Sequence, residues 1–584
     1  MKYFIPEWDD RVDPGYDFIL DKHSAQHDSD PFSDHYMWEI FGLENVPFDG
    51  VLVSRVKVEE NKIKKRRIEE LGIHKFLRLP PNFPVLGDCG AFGYVNEQVP
   101  RYDPIEILDY YQKLGFNIGV TVDHLVVPKY AEQKDFRMKI TYENGLKAFY
   151  EWKKRYAENF LLLCAVQGWD VQDYIKMMKS YQNHGVENFG IGGLARKPTT
   201  FIVDLINRIV EEIKSSGKVP NQMHFFGLAR ISLFPHFKKL EDLGVQVTFD
   251  SASFLRRAWL SAQNNYMTLD GKGYAAIRIP QIGENSGLRG ERKLKDTYNI
   301  SELKLLEKEC LEKMRLYDKG QCDIESLMSA LEKFDKATKQ NRFPILREHY
   351  LETLKDTPWK KCSCPICQKI GVEVIIFRGN NRNRRRGFHN TWIFYQIFKN
   401  PNRWFVRLGI EHELPEIDLL NLKKGERVLV ITSCTKEKLG YTSKVKAPAK
   451  NMYRGLLFKL VKEFCEANNF DYVIISAKYG LLFPDEEIEG YEKVLKTRKD
   501  VDVIRPIVEE RLKKILDKYE KVVVIAGTNY LKTLENVLDD RFYQVKGRGY
   551  GDICSKVKKA LDTVLTKKNL RIYLCFFNNK ISWG

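Results

Sequence analysis

Three cysteines and a histidine, Cys362, Cys364, Cys367 and His389, follow the pattern C-x-C-x-x-C with the histidine after 21 intervening residues. Thiolate sulfur and imidazole nitrogen are the donors zinc takes, and four of them close a tetrahedron with no position left for water. The set therefore predicts structural Zn2+; reduced thiols beside an unrelated histidine are the alternative. Between Cys367 and His389 lie Arg378, Arg382, Arg384, Arg385 and Arg386, five arginines within nine residues and no acid among them. A metal would pin both ends of this run, and a pinned arginine loop suits contact with phosphates. The plainer reading is a solvated loop.

A second constellation is spread along the first half of the chain. Asp88, Asp123, Gln167 with Gly168, Gly192 with Gly193, and Asp250 each stand at the end of a short apolar segment. One such Asp is an ordinary helix N-cap. Converging on one mouth, they offer donors and acceptors for the edge of a flat heterocycle, with Phe92 or Tyr94 to cover its face. Two carboxylates, one attacking and one moving protons, are what cleavage at an anomeric carbon requires.

The elements that must position these residues read as follows. Apolar segments at 84–92, 117–124, 160–168, 187–195, 222–229 and 245–254 predict strands, and 46–56 is a candidate for an earlier one. Between them, stretches such as PIEILDYYQKL and FIVDLINRIVEEIKSS repeat their apolar residues at helical spacing. An interval of roughly 25 to 40 residues per unit predicts α/β architecture, a (β/α)8 barrel or a doubly wound sheet. A helical stretch past residue 300 leads to the cysteine cluster. After a boundary near 410–425, GERVLVITSCTKEK, FDYVIISAKYGLL and YEKVVVIAGTNY open a second α/β unit, and 570–584 is expected as a final strand.

Composition bounds the rest. At 584 residues, 43% hydrophobic and 30% charged, the chain is long enough for two large units. No apolar run reaches the length of a membrane span, and the N-terminus lacks a signal-peptide pattern. The expectation is a cytoplasmic protein with reduced thiols, and a net charge of +17 favours a polyanionic partner, nucleic acid first.

Taken in order, Asp88-Cys-Gly-Ala-Phe92, Val122-Asp123, Val166-Gln167-Gly168, Ile191-Gly192-Gly193-Leu194-Ala195 and Phe249-Asp250-Ser251-Ala252-Ser253 resemble signature segments of the tRNA-guanine transglycosylase superfamily, and the cysteine-histidine set is a sixth match. The resemblance covers roughly residues 45 to 395. It implies a (β/α)8 barrel that exchanges guanine in a nucleic acid for a 7-deazaguanine base. Asp250 would be the nucleophile at C1′ and Asp88 the general acid/base. Asp123, Gln167, Gly168, Gly192 and Gly193 would read the base. Cys89, where many members have Ser or Gly, receives no role.

The N-terminal stretch YFIPEWDDRVDPGYDF resembles the branch that inserts 7-deazaguanines into DNA, where the incoming base is the 7-cyano form, preQ0. A tRNA-modifying enzyme is the rival, and a barrel that binds nucleic acid without turnover is a third reading. The resemblance also suggests a homodimer, and the buried position of a paired guanine in a duplex calls for base extrusion or for a separate ATPase that opens DNA. The expected division is 1–358 for the barrel, 359–410 for the zinc subdomain and 425–584 for the C-terminal α/β domain. In that last domain Cys434, Lys436 and Lys478 sit at predicted strand ends, either as an anion pocket or second active site, or as an ordinary turn.

Overall fold

The computed structural model describes residues 1–282, 299–338, 340–400, 414–439, 445–535, 537–539, 541–547 and 549–578. Two compact units divide the chain, Met1–Phe398 and Lys399–Gly584.

The first unit is a closed barrel of eight parallel strands in sequence order: β1 (Lys2–Pro6), β2 (Gly50–Ser54), β3 (Val85–Asp88), β4 (Ile118–Val120), β5 (Leu161–Val166), β6 (Asn188–Ile191), β7 (Gln222–Phe225) and β8 (Gln246–Asp250). Closure runs through β1 and β8, which align Tyr3 with Phe249 and Phe4 with Asp250. The strands are short and almost wholly apolar because both faces of the sheet are covered. Phe4, Leu52, Leu86, Val120, Leu163 and Ala165 pack together as one buried cluster of strand side chains. A Cβ on Gly50 would lie 2.6 Å from the Phe4 ring, so that ring fits only over glycine.

Helices between the strands follow from local sequence. In Thr199–Ser216 the apolar residues fall at helical spacing, burying Ile202, Leu205, Ile206, Ile209, Val210 and Ile213, and the helix stops at Gly217 in the left-handed region. Val171–Gln182 starts on a capping box between Asp170 and Asp173. Glu106–Leu114 turns Tyr111 onto the sheet, where Gly87 and Gly119 leave room for its ring and its hydroxyl donates to the Val120 carbonyl at 2.9 Å.

Two expectations are corrected here. The barrel needs Lys2–Pro6 as a strand, which the sequence analysis did not assign. More consequentially, Arg378–Arg386 is not a loop: Gly379–Lys399 is one helix, and Arg378, Arg382, Arg385 and Arg386 are buried. Arg378 pairs with Asp21 at 2.6 Å and with Glu307, while Arg382 pairs with Glu373 at 2.7 Å and with Asp21. Arg385 donates to the Asp13 carbonyl and Arg386 to the Ala258 carbonyl, each at 2.7 Å. Arg384 is half-buried and donates to the Arg11 carbonyl at 2.7 Å. The guanidinium groups of Arg378, Arg382, Arg384 and Arg385 tie the N-terminal segment to the helix and that of Arg386 ties the helix to Ala258, so the buried four are not available to phosphates.

In the second unit a five-stranded sheet has the order Gly480–Leu482, Asp471–Ser476, Val428–Ser433, Lys521–Ile525, Phe542–Gln544, all parallel except the first. Residues 570–578, expected as strand, are instead the end of the helix Tyr550–Asn578; 579–584 lie outside the described residues. Among the described residues no helix is long and apolar enough to cross a membrane.

Candidate active site

The carboxyl ends of the barrel strands surround a cavity of about 410 Å3. Asp88 ends β3 and Asp250 ends β8, and both line this cavity, together with Asp123, Gln167, Gly192 and Gly193 from the segments following β4, β5 and β6. The paired carboxylates thus share one opening, as a parallel barrel arranges for residues at strand ends.

Asp250 is held from β7 and the residues after it. Its Oδ1 accepts from the Gly227 amide at 2.8 Å and lies 3.2 Å from His224 Nε2, while Oδ2 has no hydrogen-bond partner among the described residues. One oxygen is fixed and the other is free to attack. Asp88 accepts from the Gly90 amide at 3.0 Å. Burial, then the negative charges of Asp123 and Asp250, push its carboxyl up to about 7. At neutral pH such a group both gives and takes a proton readily.

Asp123, also raised by burial, is bonded on both oxygens: Gln167 Nε2 donates to Oδ2 at 2.6 Å and the Cys89 thiol to Oδ1 at 3.2 Å. Gln167 Oε1 is buried without a partner among the described residues, an acceptor waiting for a donor. Gly192 and Gly193 are required beside it. A Cβ on Gly192 would lie 2.2 Å from Gln167 Nε2, and Gly193 has φ +72° with its Cβ position 2.7 Å from Oε1.

Several residues are not where the sequence analysis put them. Tyr94 is fully buried and does not line the cavity; its hydroxyl donates to the Asp123 carbonyl at 2.9 Å and sits 3.0 Å from Cys89 Sγ. It supports the floor of the site and covers no ligand. Gly168 does not line the cavity either, and packs close to the Tyr174 ring. Phe92 does line it and is 60% exposed at the rim.

Others were missed. Cys89 positions Asp123, and burial raises its thiol well above the usual range, as befits a fixed donor rather than a nucleophile. His224 is fully buried on β7, and its position one residue ahead of the strand-end Phe225 was the available signal. Trp8, Phe226, Lys57 and Arg256 also line the cavity, with the Arg256 guanidinium 4.1 Å above the Trp8 ring.

Cys362, Cys364, Cys367 and His389 come together, their ligand atoms all within 4.8 Å of one another. His389 Nδ1 lies 3.6, 3.2 and 3.4 Å from the three sulfurs, against the roughly 3.5 Å that tetrahedral zinc would impose. The other imidazole nitrogen is 2.8 Å from the Met267 carbonyl, which fixes the tautomer that points Nδ1 at the sulfurs, and the ring stacks on Tyr266. The donor set fits a four-coordinate metal.

A (β/α)8 barrel with two carboxylates in one strand-end cavity and a Cys3His set outside that cavity is the arrangement expected of a pentosyltransferase of the guanine transglycosylase superfamily. The chain is 33% identical over 414 residues to a DNA-guanine transglycosylase of Salmonella montevideo, a match covering 68% of this chain and 96% of that protein. It belongs to the DNA-guanine transglycosylase family. Residues 428–551 match a different family, DUF6884, described only as a family of unknown function.

Proposed function

We propose that the barrel exchanges a guanine of DNA for a 7-deazaguanine base. The observation that carries the reading is the single cavity shared by Asp250, with one oxygen free, and Asp88, with its carboxyl near 7. Asp250 Oδ2 attacks C1′ of the target nucleotide; the glycosidic C–N bond breaks as the C1′–O bond forms, and the departing guanine takes the proton of Asp88. The incoming base then gives a proton to Asp88, its nitrogen attacks C1′, and Asp250 leaves as carboxylate. No energy source is consumed, because one glycosidic bond replaces another.

Asp123, Gln167, Gly192 and Gly193 read the edge common to both bases, and the unpartnered Gln167 Oε1 accepts an N–H from the base. Phe92 and Phe226 supply apolar surface for its faces. Lys57 and Arg256 at the rim, rather than the Arg378–Arg386 segment, meet the phosphates. The incoming base is preQ0, as resemblance to the DNA branch suggests. A guanine paired in a duplex must be extruded to enter, which is where a strand-opening ATPase would serve. The metal is zinc; bound, it supplies no reaction step and anchors the helix Gly379–Lys399, and a homodimer would form through this region.

The test offers the protein DNA and tRNA with labelled preQ0. Label entering DNA, together with a trapped covalent complex that Asp250→Asn abolishes, is the expected result. Label entering only tRNA, or turnover that survives Asp250→Asn, overturns the reading.

A further inference from the structure

The second unit has a cavity of its own, about 290 Å3, at the carboxyl end of the central strand Val428–Ser433. Numbered along the chain, the sheet runs 3-2-1-4-5, so strand order reverses between Val428–Ser433 and Lys521–Ile525. In open α/β sheets the crevice outside such a reversal is where ligands sit.

One wall is the loop from Ser433 to Glu437. Facing it is the first turn of the helix Leu456–Asn468, which begins at Gly455 with no side-chain cap and no acid. The two are pressed together: a Cβ on Gly455 would lie 2.8 Å from Thr435, whose hydroxyl accepts from the Gly455 amide at 3.3 Å. Leu457, Phe458 and Tyr550 make the apolar remainder of the wall.

The loop also covers a buried polar network. Cys434, 6% exposed, has its sulfur 3.2 Å from the Tyr530 hydroxyl. Beside it the Tyr491 hydroxyl lies 2.7 Å from Ser476 Oγ and 3.1 Å from the Tyr453 hydroxyl. Lys438 stands 4.4 Å above the Tyr491 ring and Lys478 5.8 Å from it. Of the three lysines only Lys436 lines the cavity; Lys438 and Lys478 rest over tyrosine rings of the network. Lys436 forms no ion pair among the described residues. A ligand carrying negative charge would give this cation a partner.

We propose that this unit binds a ribonucleotide. At the helix start the Gly455 amide donates to Thr435 and the Leu457 amide to the Tyr550 hydroxyl at 3.1 Å, which leaves the Leu456 and Phe458 amides without an acceptor among the described residues. The phosphate lies between Lys436 and these two amides, the sugar hydroxyls face the Glu437 carboxylate, and the base rests on Phe458 and Tyr550. All of these residues fall within the second unit and the segment matched to the family of unknown function, so this site stands or falls apart from the barrel reading.

Calorimetric titration of the full-length protein with AMP, CMP, UMP and inorganic phosphate tests it; these bases lack the guanine edge the barrel would read. The expected result is saturable, one-to-one binding of at least one nucleotide, displaced by inorganic phosphate, weakened about tenfold by Lys436→Ala and abolished by Ser433→Asp, which sets a carboxylate on the cavity wall. Both variants are checked for an unchanged thermal midpoint. Absence of saturable binding by every probe, binding unaltered in folded Lys436→Ala and Ser433→Asp, or binding displaced by free guanine overturns the proposal.

Discussion

His224 Nε2 lies 3.2 Å from Asp250 Oδ1, and the same ring's Nδ1 lies 2.8 Å from Thr248 Oγ1. Adjacent strands β7 and β8 thus lock the side chain that ends β8 through an imidazole with no exposure of its own. The lock determines which carboxylate oxygen faces the cavity. A nucleophile displaced by 1 Å loses on the order of 10²-fold in rate. His224→Ala is therefore expected to lower the single-turnover rate of base exchange by about that factor while KM changes little. His224→Asn, which keeps a donor near Oδ1, should recover part of the loss. A purely structural role would lower the thermal midpoint of both variants without separating their rates.

Asp88 predicts a pH dependence of definite sign. Its folded pKa, about 7, lies above the ordinary carboxyl value of 3.8, so between those two pH values the native state holds a proton that the unfolded chain has released. Guanine displacement, which needs the protonated form, is expected to be fast below pH 7 and to decline tenfold per unit above it. Stability from this group is full below pH 3.8 and falls as pH rises toward 7, with a slope of at most about 1.4 kcal/mol per unit. Asp88→Asn should abolish displacement and remove that slope; single-turnover rates and denaturant titrations across pH 4 to 8 measure both.

Much of this site was legible because a parallel barrel puts its chemistry at strand ends, where an apolar run meets Asp, Gln or Gly. That signal located Asp88, Asp123, Gln167, Gly192, Gly193 and Asp250 before any geometry. It failed where a residue's partner is remote in sequence. Lys2–Pro6 is a strand only because Gly50–Ser54 and Gln246–Asp250 flank it, and nothing in five residues at a chain start announces a pairing some 245 positions away. Tyr94 was read as a ligand's cover because aromatic type shows and burial does not. The arginines carried an unread clue: Arg382, Arg385 and Arg386 recur at i, i+3 and i+4, the stripe of a helix face turned inward.

Gly192 makes a narrow steric prediction. The Cβ of Gly192→Ala would lie 2.2 Å from Gln167 Nε2, so the amide must move and release Asp123. Base recognition should suffer before chemistry does. The expected outcome is a rise in KM for the incoming base of roughly tenfold or more, the equivalent of one lost charge-assisted hydrogen bond, with a smaller change in the displacement of guanine.

Removal of the metal should act through stability. Cys364→Ser takes one ligand from the Cys3His set, and metal analysis is expected to show zinc in the parent protein and little in the variant. The loss of several kcal/mol of ordering at about 2–4 °C each corresponds to a fall in thermal midpoint on the order of 10 °C. At temperatures where the variant is still folded, the pH dependence set by Asp88 should be unchanged, because no ligand of the set lines the cavity.

The two classes of arginine separate in one experiment. Arg386 is fully buried, bonded among the described residues only to carbonyls and Asn383, and desolvation lowers its guanidinium to about 9. Arg386→Leu strands the Ala258, Val374 and Ile376 carbonyls without a donor and should cost about 3–5 kcal/mol of stability. Arg256 is exposed at the cavity rim, so Arg256→Ala should leave stability within about 0.5 kcal/mol. For DNA the order inverts. Arg256→Ala should reduce the slope of log affinity against log salt by about 1, the signature of one lost phosphate contact, whereas Arg386→Leu, measured where it is folded, should leave that slope alone. If the slope instead tracked Arg386, the helix Gly379–Lys399 would have to open on binding and expose its inner face, and the buried ion pairs of Arg378 and Arg382 would break with it.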